Sequence, residues 1–234
     1  FLLASTYDQD MHANPNNPKA TNGTDQAWGG NRARPDLVKK FFPNGNVPNL
    51  ESYATAEAAG DDRALFNGVN RTLDNDDVAT FKSGFGVAKF TNFKTDGSAG
   101  HDATFPDADF FLMRVAEAYL NFAEADARLN GDQTTAEGTK AINAIRKRAH
   151  ASTREDRGYS LSDICDEWSR EFYFEGRRRM DLIRFNRYGG NVNYNWQWKG
   201  GTKEGRNFSE NLNIFAIPTN ELTSNKNLTQ NPGY

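Results

Sequence analysis

The sequence has little of what metal and cofactor sites require. It contains one cysteine, Cys165, and three histidines among 234 residues. A single cysteine excludes an internal disulfide framework and a cysteine-based zinc cluster, and the histidines lie too far apart to predict a zinc site. Residues 74–77 begin like a calcium loop, but Val78 takes its fifth position and the required glycine is missing. Gly84-Phe85-Gly86 lacks the third glycine of a dinucleotide fingerprint. We therefore expect no metal and no cofactor.

The sequence also lacks an excess of one charge and a long apolar run. Lys and Arg number 28 against 31 Asp and Glu, a net charge of −3, so no global field would gather nucleic acid or an anionic membrane. No segment approaches the roughly 20 apolar residues of a transmembrane helix. The chain begins with Phe1-Leu2-Leu3 and has no basic flank or cleavage pattern there. We expect it to be the later part of a longer protein.

Hydrophobic periodicity indicates a mainly α-helical fold with extensive loops and a few short strands. Residues 1–108 are rich in turn signals and aromatic residues, which is typical of structured loops. Apolar residues recur at helical steps over Asp109–Leu129 and again up to Ala149, and Thr134 with Glu137 has the pattern of a capping box. This predicts a helical hairpin over 109–149 with Tyr119 and Leu120 directed inward. A third helix is predicted through Leu161, Ile164, Trp168 and Phe172.

The segment Glu167–Leu182, EWSREFYFEGRRRMDL, mixes acids, bases and aromatic rings. Glu171 and Glu175 precede Arg179 at helical steps, and Arg177 lies four residues before Asp181, so the bases have local acids as partners. A nucleic-acid patch would leave those bases unpaired on one face. We therefore interpret the segment as a structural corner, in which Glu175, Arg178 and Asp181 are structural and Arg178 or Arg179 is paired to an acid.

Four motifs in order resemble the SusD/RagB family. They are RVAEAYLNFAEA from Arg114, which includes Glu117; INAIRKRA from Ile142; Glu167, Glu171 and Glu175-Gly176 with Arg178, Asp181-Leu182 and Arg184; and the C-terminal IPTNELTSNKNLTQNPGY. Each motif alone is weak, but four in order are specific. Trp168 stands where the family often has Arg. The family's lipid-bearing N-terminal cysteine and early helical repeats have no counterpart here.

The resemblance implies the C-terminal region of a SusD-type α/α protein with a TPR-like hairpin. We expect one region over 1–234, with a loop-rich ligand-binding part (1–108), a helical scaffold (109–187) and a C-terminal loop and tail (188–234). The resemblance also implies a cell-surface lipoprotein of the outer membrane, on its extracellular face. It would capture oligosaccharides for polysaccharide utilisation and cover a TonB-dependent transporter of the SusC type. An N-terminal lipid anchor outside this chain would be its contact with the membrane.

Sugar recognition requires exposed aromatic faces together with amide or charged groups. The loops offer Trp28 with Asp25, Asn31 and Arg32 nearby, and Tyr7. Trp196 and Trp198 alternate, which puts both on one side if that segment is extended. The family's binding aromatics usually come from loops ahead of the R-x-A-E helix, which favours Tyr7 and Trp28. Core packing is the commoner role of any one tryptophan.

We interpret the protein as non-catalytic, because its best-placed acids lie in helices that also contain arginines. Ion pairing explains these acids more simply than a pair of glycosidase carboxylates does. They are Glu117, Glu124, Glu171 and Glu175. The alternative function is a helical-repeat module that binds a peptide or protein, for which a long apolar groove would be the sign. An enzyme ranks third.

Overall fold

The structure is a computed structural model, and it describes residues 31–80, 82–102, 107 and 109–234. The chain divides into two compact units, Phe1–Glu175 and Gly176–Tyr234. The division of the chain into a ligand-binding part, a scaffold and a tail stays a prediction.

The first unit contains a small aromatic core built from short elements. Helix α1 (Pro35–Val38) has Pro at its first position, where the missing N–H costs no helical hydrogen bond, and continues as the 3₁₀ turn Lys39–Phe41. Helix α2 (Ser52–Ala59) is followed by two antiparallel strands, β1 (Phe66–Asn67) and β2 (Gly86–Val87). These elements enclose a core cluster of buried residues: Ala33, Val38, Phe41, Phe42, Ala64, Phe66, Phe85, Val87 and Tyr173.

Three longer helices form the rest of the first unit. They are α3 (Val115–Leu129), α4 (Ala136–Arg148) and α5 (Leu161–Phe172), and α3 contacts both of the others. The side chains that they bury include Leu120, Ala123, Ala127, Ile142, Ile145, Ile164 and Trp168. The predicted helical hairpin and third helix are confirmed, and the described part of the chain is mainly helical.

Some apolar residues of the first predicted helix, which the sequence places in the core, are exposed in the structure. Helix α3 begins at Val115, because Arg114 before it is extended (φ −147°, ψ 157°). Leu112 and Val115 are 86% and 72% exposed, and Tyr119 is 42% exposed. Leu120 is fully buried as predicted, together with Ala123 and Ala127. The prediction that Tyr119 points inward is therefore wrong, since α3 has a second apolar face that α4 and α5 leave open.

The predicted capping box at Thr134 is also wrong. The residue before α4 is Thr135, whose side chain makes no cap hydrogen bond. Its hydroxyl donates to Asp126 Oδ1 at 2.9 Å. Thr134 instead bonds to the hydroxyl of Thr139. A capping box does occur at α5, where Asp163 N–H donates to Ser160 Oγ (3.1 Å) and Ser160 N–H donates to Asp163 Oδ2 (2.9 Å).

The second unit contains short helices and a cluster of aromatic rings. Its helices are α6 (Arg178–Arg184) and α7 (Thr219–Ser224), with 3₁₀ turns at Lys199–Gly201 and Glu210–Asn213. The ring cluster consists of Tyr188, Tyr194, Trp196 and Phe208. In the described parts of both units, every helix is too short or too polar to cross a membrane.

Candidate functional site

A buried network of ion pairs connects α5 to the loop before β1. Arg63 donates to Asp61 through Nε and a terminal nitrogen (2.9 and 2.8 Å), and its other terminal nitrogen donates to Glu167 (2.8 Å) and Glu171 (2.9 Å). The side chains of Glu167 and Glu171 are each 1% exposed. Arg146 and Arg170 each donate to the second oxygen of Glu167 at 2.7 Å. Each buried carboxylate therefore faces several guanidinium groups, which makes its burial tolerable.

The network continues to the start of α3. Arg114 donates to both carboxylate oxygens of Glu175 at 2.8 Å, to the main-chain oxygen of Glu171 at 2.7 Å, and to the Glu171 carboxylate. Lys89 pairs with Glu175 and donates to the carbonyl oxygen of Tyr173 at 2.9 Å. The Arg114 guanidinium also lies 3.9 Å from the ring centroid of Phe172. Arg114 thus fixes the end of α5 against the beginning of α3.

The carboxylates of this network stay ionised well into acid. Burial raises the pKa of Glu167, but the guanidinium groups of Arg170, Arg63 and Arg146 outweigh it and lower the pKa to about 2. Burial also raises the pKa of Glu171 and of Glu175. The hydrogen bonds from Arg114 outweigh this effect, so the pKa of each carboxyl group is lowered. A general acid for glycoside cleavage needs the opposite shift. These three acids are therefore suited to structure rather than to proton transfer.

The segment Glu167–Leu182 makes different ion pairs from those that the sequence predicts. Helix α5 ends at Phe172 and α6 begins at Arg178, with positive φ at Phe174 (59°) and Gly176 (78°) between them. The acids before Gly176 pair with bases far away in sequence, so the local pairing inferred from helical steps to Arg179 is wrong. Pairing of Glu171 or Glu175 with Arg179 would require one continuous helix from Glu171 to Arg179. The backbone leaves the helical conformation at Phe174 and Gly176 instead.

Beyond Gly176 the second unit has its own contacts. Asp181 is 1% exposed and accepts from Arg184 at 2.9 Å and from Arg177 at 3.4 Å, the latter as predicted. Arg178 donates to the hydroxyl of Tyr194 at 2.8 Å. Arg179 donates to the carbonyl oxygens of Leu212 and Asn213, both at 3.0 Å. These arginines therefore tie α6 to the loops of the second unit.

A cavity of about 420 Å³ opens over the network in the first unit. Its lining includes the rings of Phe90, Phe110 and Phe111 and the network residues Arg114 and Glu171. Phe110 and Phe111 are 47% and 66% exposed. The cavity combines apolar rings with charged groups that already have partners, so it offers contact area more than new hydrogen bonds.

The predicted ligand-binding residues are distributed over different parts of the chain. Tyr7, Asp25 and Trp28 lie outside the described residues. Asn31 is exposed. The Arg32 guanidinium donates to the carbonyl oxygen of Val78 at 3.0 Å and to that of Thr80, which ties the start of the described chain to the 78–80 loop.

Trp196 and Trp198 belong to a turn rather than to an extended segment. Trp198 has a left-handed backbone (φ 68°), so the premise that placed both rings on one side is wrong. Trp196 stacks on Tyr188 with a centroid distance of 6.1 Å. Lys199, 1% exposed, lies 4.8 Å from the Trp196 ring and donates to the carbonyl oxygens of Asn191 (3.0 Å) and Tyr194 (2.5 Å). Both tryptophans are half-buried, and Trp196 packs in the ring cluster.

Sequence reasoning missed Arg63 and Lys89 as members of the network. Arg63 follows two aspartates and pairs with residues more than 100 positions away, and Lys89 pairs 86 positions away. Such pairings leave no local periodic signal. Other members of the network, among them Arg114, Arg146, Glu171 and Glu175, lie in the motifs that resemble the family.

Comparison with known proteins gives consistent results. The sequence profile of the SusD family matches residues 54–234. The starch-binding protein SusD of Bacteroides thetaiotaomicron is 37% identical to this chain over a match that covers 91% of this chain and 43% of that protein. The chain therefore spans less than half the length of this curated relative.

Two solved structures share the fold. A SusD-like protein from Bacteroides fragilis NCTC 9343 matches with a TM-score of 0.59 and 22% identity over 98% of this chain and 50% of that one. A laminarin-binding SusD-like protein matches with a TM-score of 0.55 and 22% identity over 92% of this chain and 41% of that one.

Proposed function

The chain belongs to the SusD family, and from this premise we propose that it binds oligosaccharides non-covalently at the cell surface. The observation that carries the proposal is the 37% identity to a protein named for starch binding, over 91% of this chain. The solved laminarin-binding neighbour supports only the shared fold at its 22% identity. Since the chain spans 43% of the curated relative, its ligand and its partners are parts of the proposal.

The mechanism that we propose is capture and hand-over without bond cleavage. The protein would lie on the extracellular face of the outer membrane and pass its glycan to a TonB-dependent transporter of the SusC type. The lowered pKa values of Glu167, Glu171 and Glu175 support a non-catalytic role, because these acids are held as carboxylates in ion pairs. Binding would depend on ring stacking plus hydrogen bonds to sugar hydroxyls, each bond adding a modest net gain over water.

We place the proposed glycan contacts in the loop-rich part ahead of α1. Trp28 and Tyr7 supply aromatic faces there, and Asp25 and Asn31 supply polar groups. Arg32 supports this placement indirectly, because its bonds to the 78–80 loop anchor the segment that follows Trp28. Trp196 is the weaker candidate, since Tyr188, Tyr194 and Phe208 already pack around it.

Matched tryptophan variants test this placement. We expect Trp28→Ala to weaken glycan binding by at least about tenfold, equivalent to about 1.4 kcal/mol, with unchanged thermal stability. Tyr7→Ala should weaken it less. Trp196→Ala is the control and should lower stability, because it removes a packed ring. Normal binding by Trp28→Ala together with lost binding by a folded Trp196→Ala or Trp198→Ala variant would move the site to the second unit.

A further inference from the structure

A second cavity of the first unit lies along helix α4, beside the loop that connects α4 to α5. It has a volume of about 500 Å³, which is within the size range of small-molecule binding sites. Its lining comes from α4, from the two residues before it and from residues 154–158 of the loop, and it is distinct from the lining of the cavity over the ion-pair network. We call it the α4 cavity.

The loop beside the α4 cavity is fixed by hydrogen bonds to both helices. The side-chain amide of Asn143 on α4 donates to the carbonyl oxygen of Arg154 at 2.7 Å, and its oxygen accepts from the Arg154 N–H at 3.2 Å. The Arg154 guanidinium donates to both carboxylate oxygens of Asp163 on α5, at 2.8 and 2.9 Å, and lies 4.5 Å from the ring centroid of Tyr159. The loop is therefore held in place before a ligand arrives, which lowers the entropic cost of binding.

Small side chains keep the cavity open. A Cβ atom on Gly158 would lie 2.5 Å from the carbonyl oxygen of Thr134, so the close approach of the loop requires glycine. Ala136 and Ala144 line the α4 side with methyl groups, and the aliphatic stem of Lys140 adds to this apolar surface. The lining residues include no aromatic side chain. The cavity therefore presents C–H surface to a ligand without a ring for stacking.

Most charges of the lining have a partner of opposite sign. The charged side chains that line the cavity are those of Lys140, Lys147, Arg154, Glu155, Asp156 and Arg157. Lys147 pairs with Glu155 at 3.6 Å, and Arg154 pairs with Asp163 at 2.8 Å. The charges therefore largely offset one another, and the cavity does not have a strong field that would select an ion of one sign.

Three exposed side chains of the lining keep their hydrogen-bonding capacity for a ligand. They are Lys140 and Arg157, which are donors, and Asp156, which is an acceptor. None of the three forms an ion pair or a side-chain hydrogen bond with another residue that the structure describes. Hydrogen bonds to charged groups are the stronger ones.

Donors and acceptors beside a small C–H surface suit a ligand with many hydroxyl groups. A hydroxyl group both donates and accepts, so neighbouring hydroxyls of a sugar ring can donate to a carboxylate and accept from an ammonium or guanidinium group. We propose that the α4 cavity is a second saccharide site, which takes a neutral oligosaccharide by polar contacts rather than by stacking. The inference rests on the proposed function and adds a site with residues other than Tyr7 and Trp28.

Amide NMR spectra of the chain, titrated with maltotriose and with laminaritriose, test the site. The titrations are made on the unmodified chain and on Trp28→Ala, which lacks the ring proposed for the other contacts. We expect saturable shifts of the Gly158 and Thr139 signals with at least one trisaccharide in both proteins. Ala144→Phe fills the cavity and should abolish these shifts without loss of stability, because Ala144 is exposed. Ala118→Phe is the same change at an exposed position of α3 outside the cavity, and should leave them unchanged.

Removal of single donors gives a second measurement. Lys140→Met and Arg157→Met keep an unbranched side chain but lose the charge and its hydrogen bonds. Each should weaken binding at the cavity by at least about threefold, measured from the same shifts. Lys94→Met is the matched control, since Lys94 is an exposed base of the first unit outside the cavity, and it should bind normally.

The outcomes separate this inference from the proposed function. Shifts of Gly158 and Thr139 that persist in Ala144→Phe, or an affinity that both Met variants leave unchanged, would overturn the second site. A uronic acid trimer that causes these shifts when neither neutral trisaccharide does would overturn the neutral class of ligand. Loss of all sugar binding in Trp28→Ala would overturn this inference alone. No binding of any oligosaccharide by the unmodified chain would refute the proposed function as well.

Discussion

Replacing Glu167 by glutamine tests whether the buried ion-pair network holds the first unit together. The Glu167 side chain is 1% exposed, and its two oxygens accept from Arg63 at 2.8 Å, Arg146 at 2.7 Å and Arg170 at 2.7 Å. Glu167→Gln keeps the shape but removes the charge, and it places an amide donor against guanidinium donors. Three arginines would then share a site without its central anion.

The expected cost of Glu167→Gln follows from the burial of the network. Breaking a buried pair by removing one partner typically costs about 3–5 kcal/mol. For a protein of this size that corresponds to a fall in Tm of about 6–20 °C. Urea denaturation followed by circular dichroism at pH 7 measures the loss directly. Glu155→Gln is the matched control: its side chain is 72% exposed and 3.6 Å from Lys147, so it should change stability by less than about 1 kcal/mol.

The pH dependence of stability provides an independent measure of the same residue. The pKa of Glu167 is lowered to about 2 in the folded chain, below the value of about 4.3 in an unfolded one. As pH falls, the unfolded chain takes up the proton first, so the stability from this carboxylate is complete above about pH 4.5 and is lost as pH falls toward 2. The loss amounts to about 3 kcal/mol. In the Glu167→Gln variant, the free energy of unfolding should not show this additional loss as the pH falls toward 2. A loss under 1 kcal/mol at pH 7, or an acid limb unchanged in the variant, would refute the reasoning.

Two further predictions concern single contacts. Ser160→Ala removes the capping box of α5 and should lower the free energy of unfolding by about 1 kcal/mol, measured by urea titration; no change would show that the cap is not needed. Lys199→Met leaves the carbonyl groups of Asn191 and Tyr194 without their buried donor, and should cost the second unit about 1–3 kcal/mol and alter tryptophan fluorescence. An unchanged emission spectrum and stability would contradict the assigned role of Lys199.

Helical periodicity predicted α3, α4 and α5 because it reports a local property, the recurrence of apolar residues on one face. It misassigned Tyr119, since periodicity cannot distinguish a face buried in this chain from one that is apolar and open. The pairing of residues also lies beyond a local pattern. Arg179 follows Glu171 by about two turns of an ideal helix, but the backbone breaks the helix at Phe174 and Gly176. Glu171 therefore pairs with Arg63 and Arg114.

The candidate binding residues were less predictable than the scaffold. Alternation of Trp196 and Trp198 assumes a strand, and the left-handed backbone at Trp198 removes that assumption. Short loops of glycine, asparagine and aromatic residues have no periodic signal, so their geometry depends on contacts such as those of Lys199 with carbonyl groups. Resemblance to the family favoured Tyr7 and Trp28 over this segment, and that preference remains a prediction.

The central proposal is that this chain binds a glycan and does not cleave it. The direct measurement is isothermal titration calorimetry of the chain against neutral plant and host oligosaccharides, starch and laminarin fragments included, with chromatographic analysis of the sugars recovered from the same mixtures. We expect saturable binding to at least one glycan with an affinity of roughly micromolar to millimolar, and recovery of that glycan intact. Shortened sugar products, or no heat of binding with any glycan while a peptide library binds the same folded chain, would contradict it.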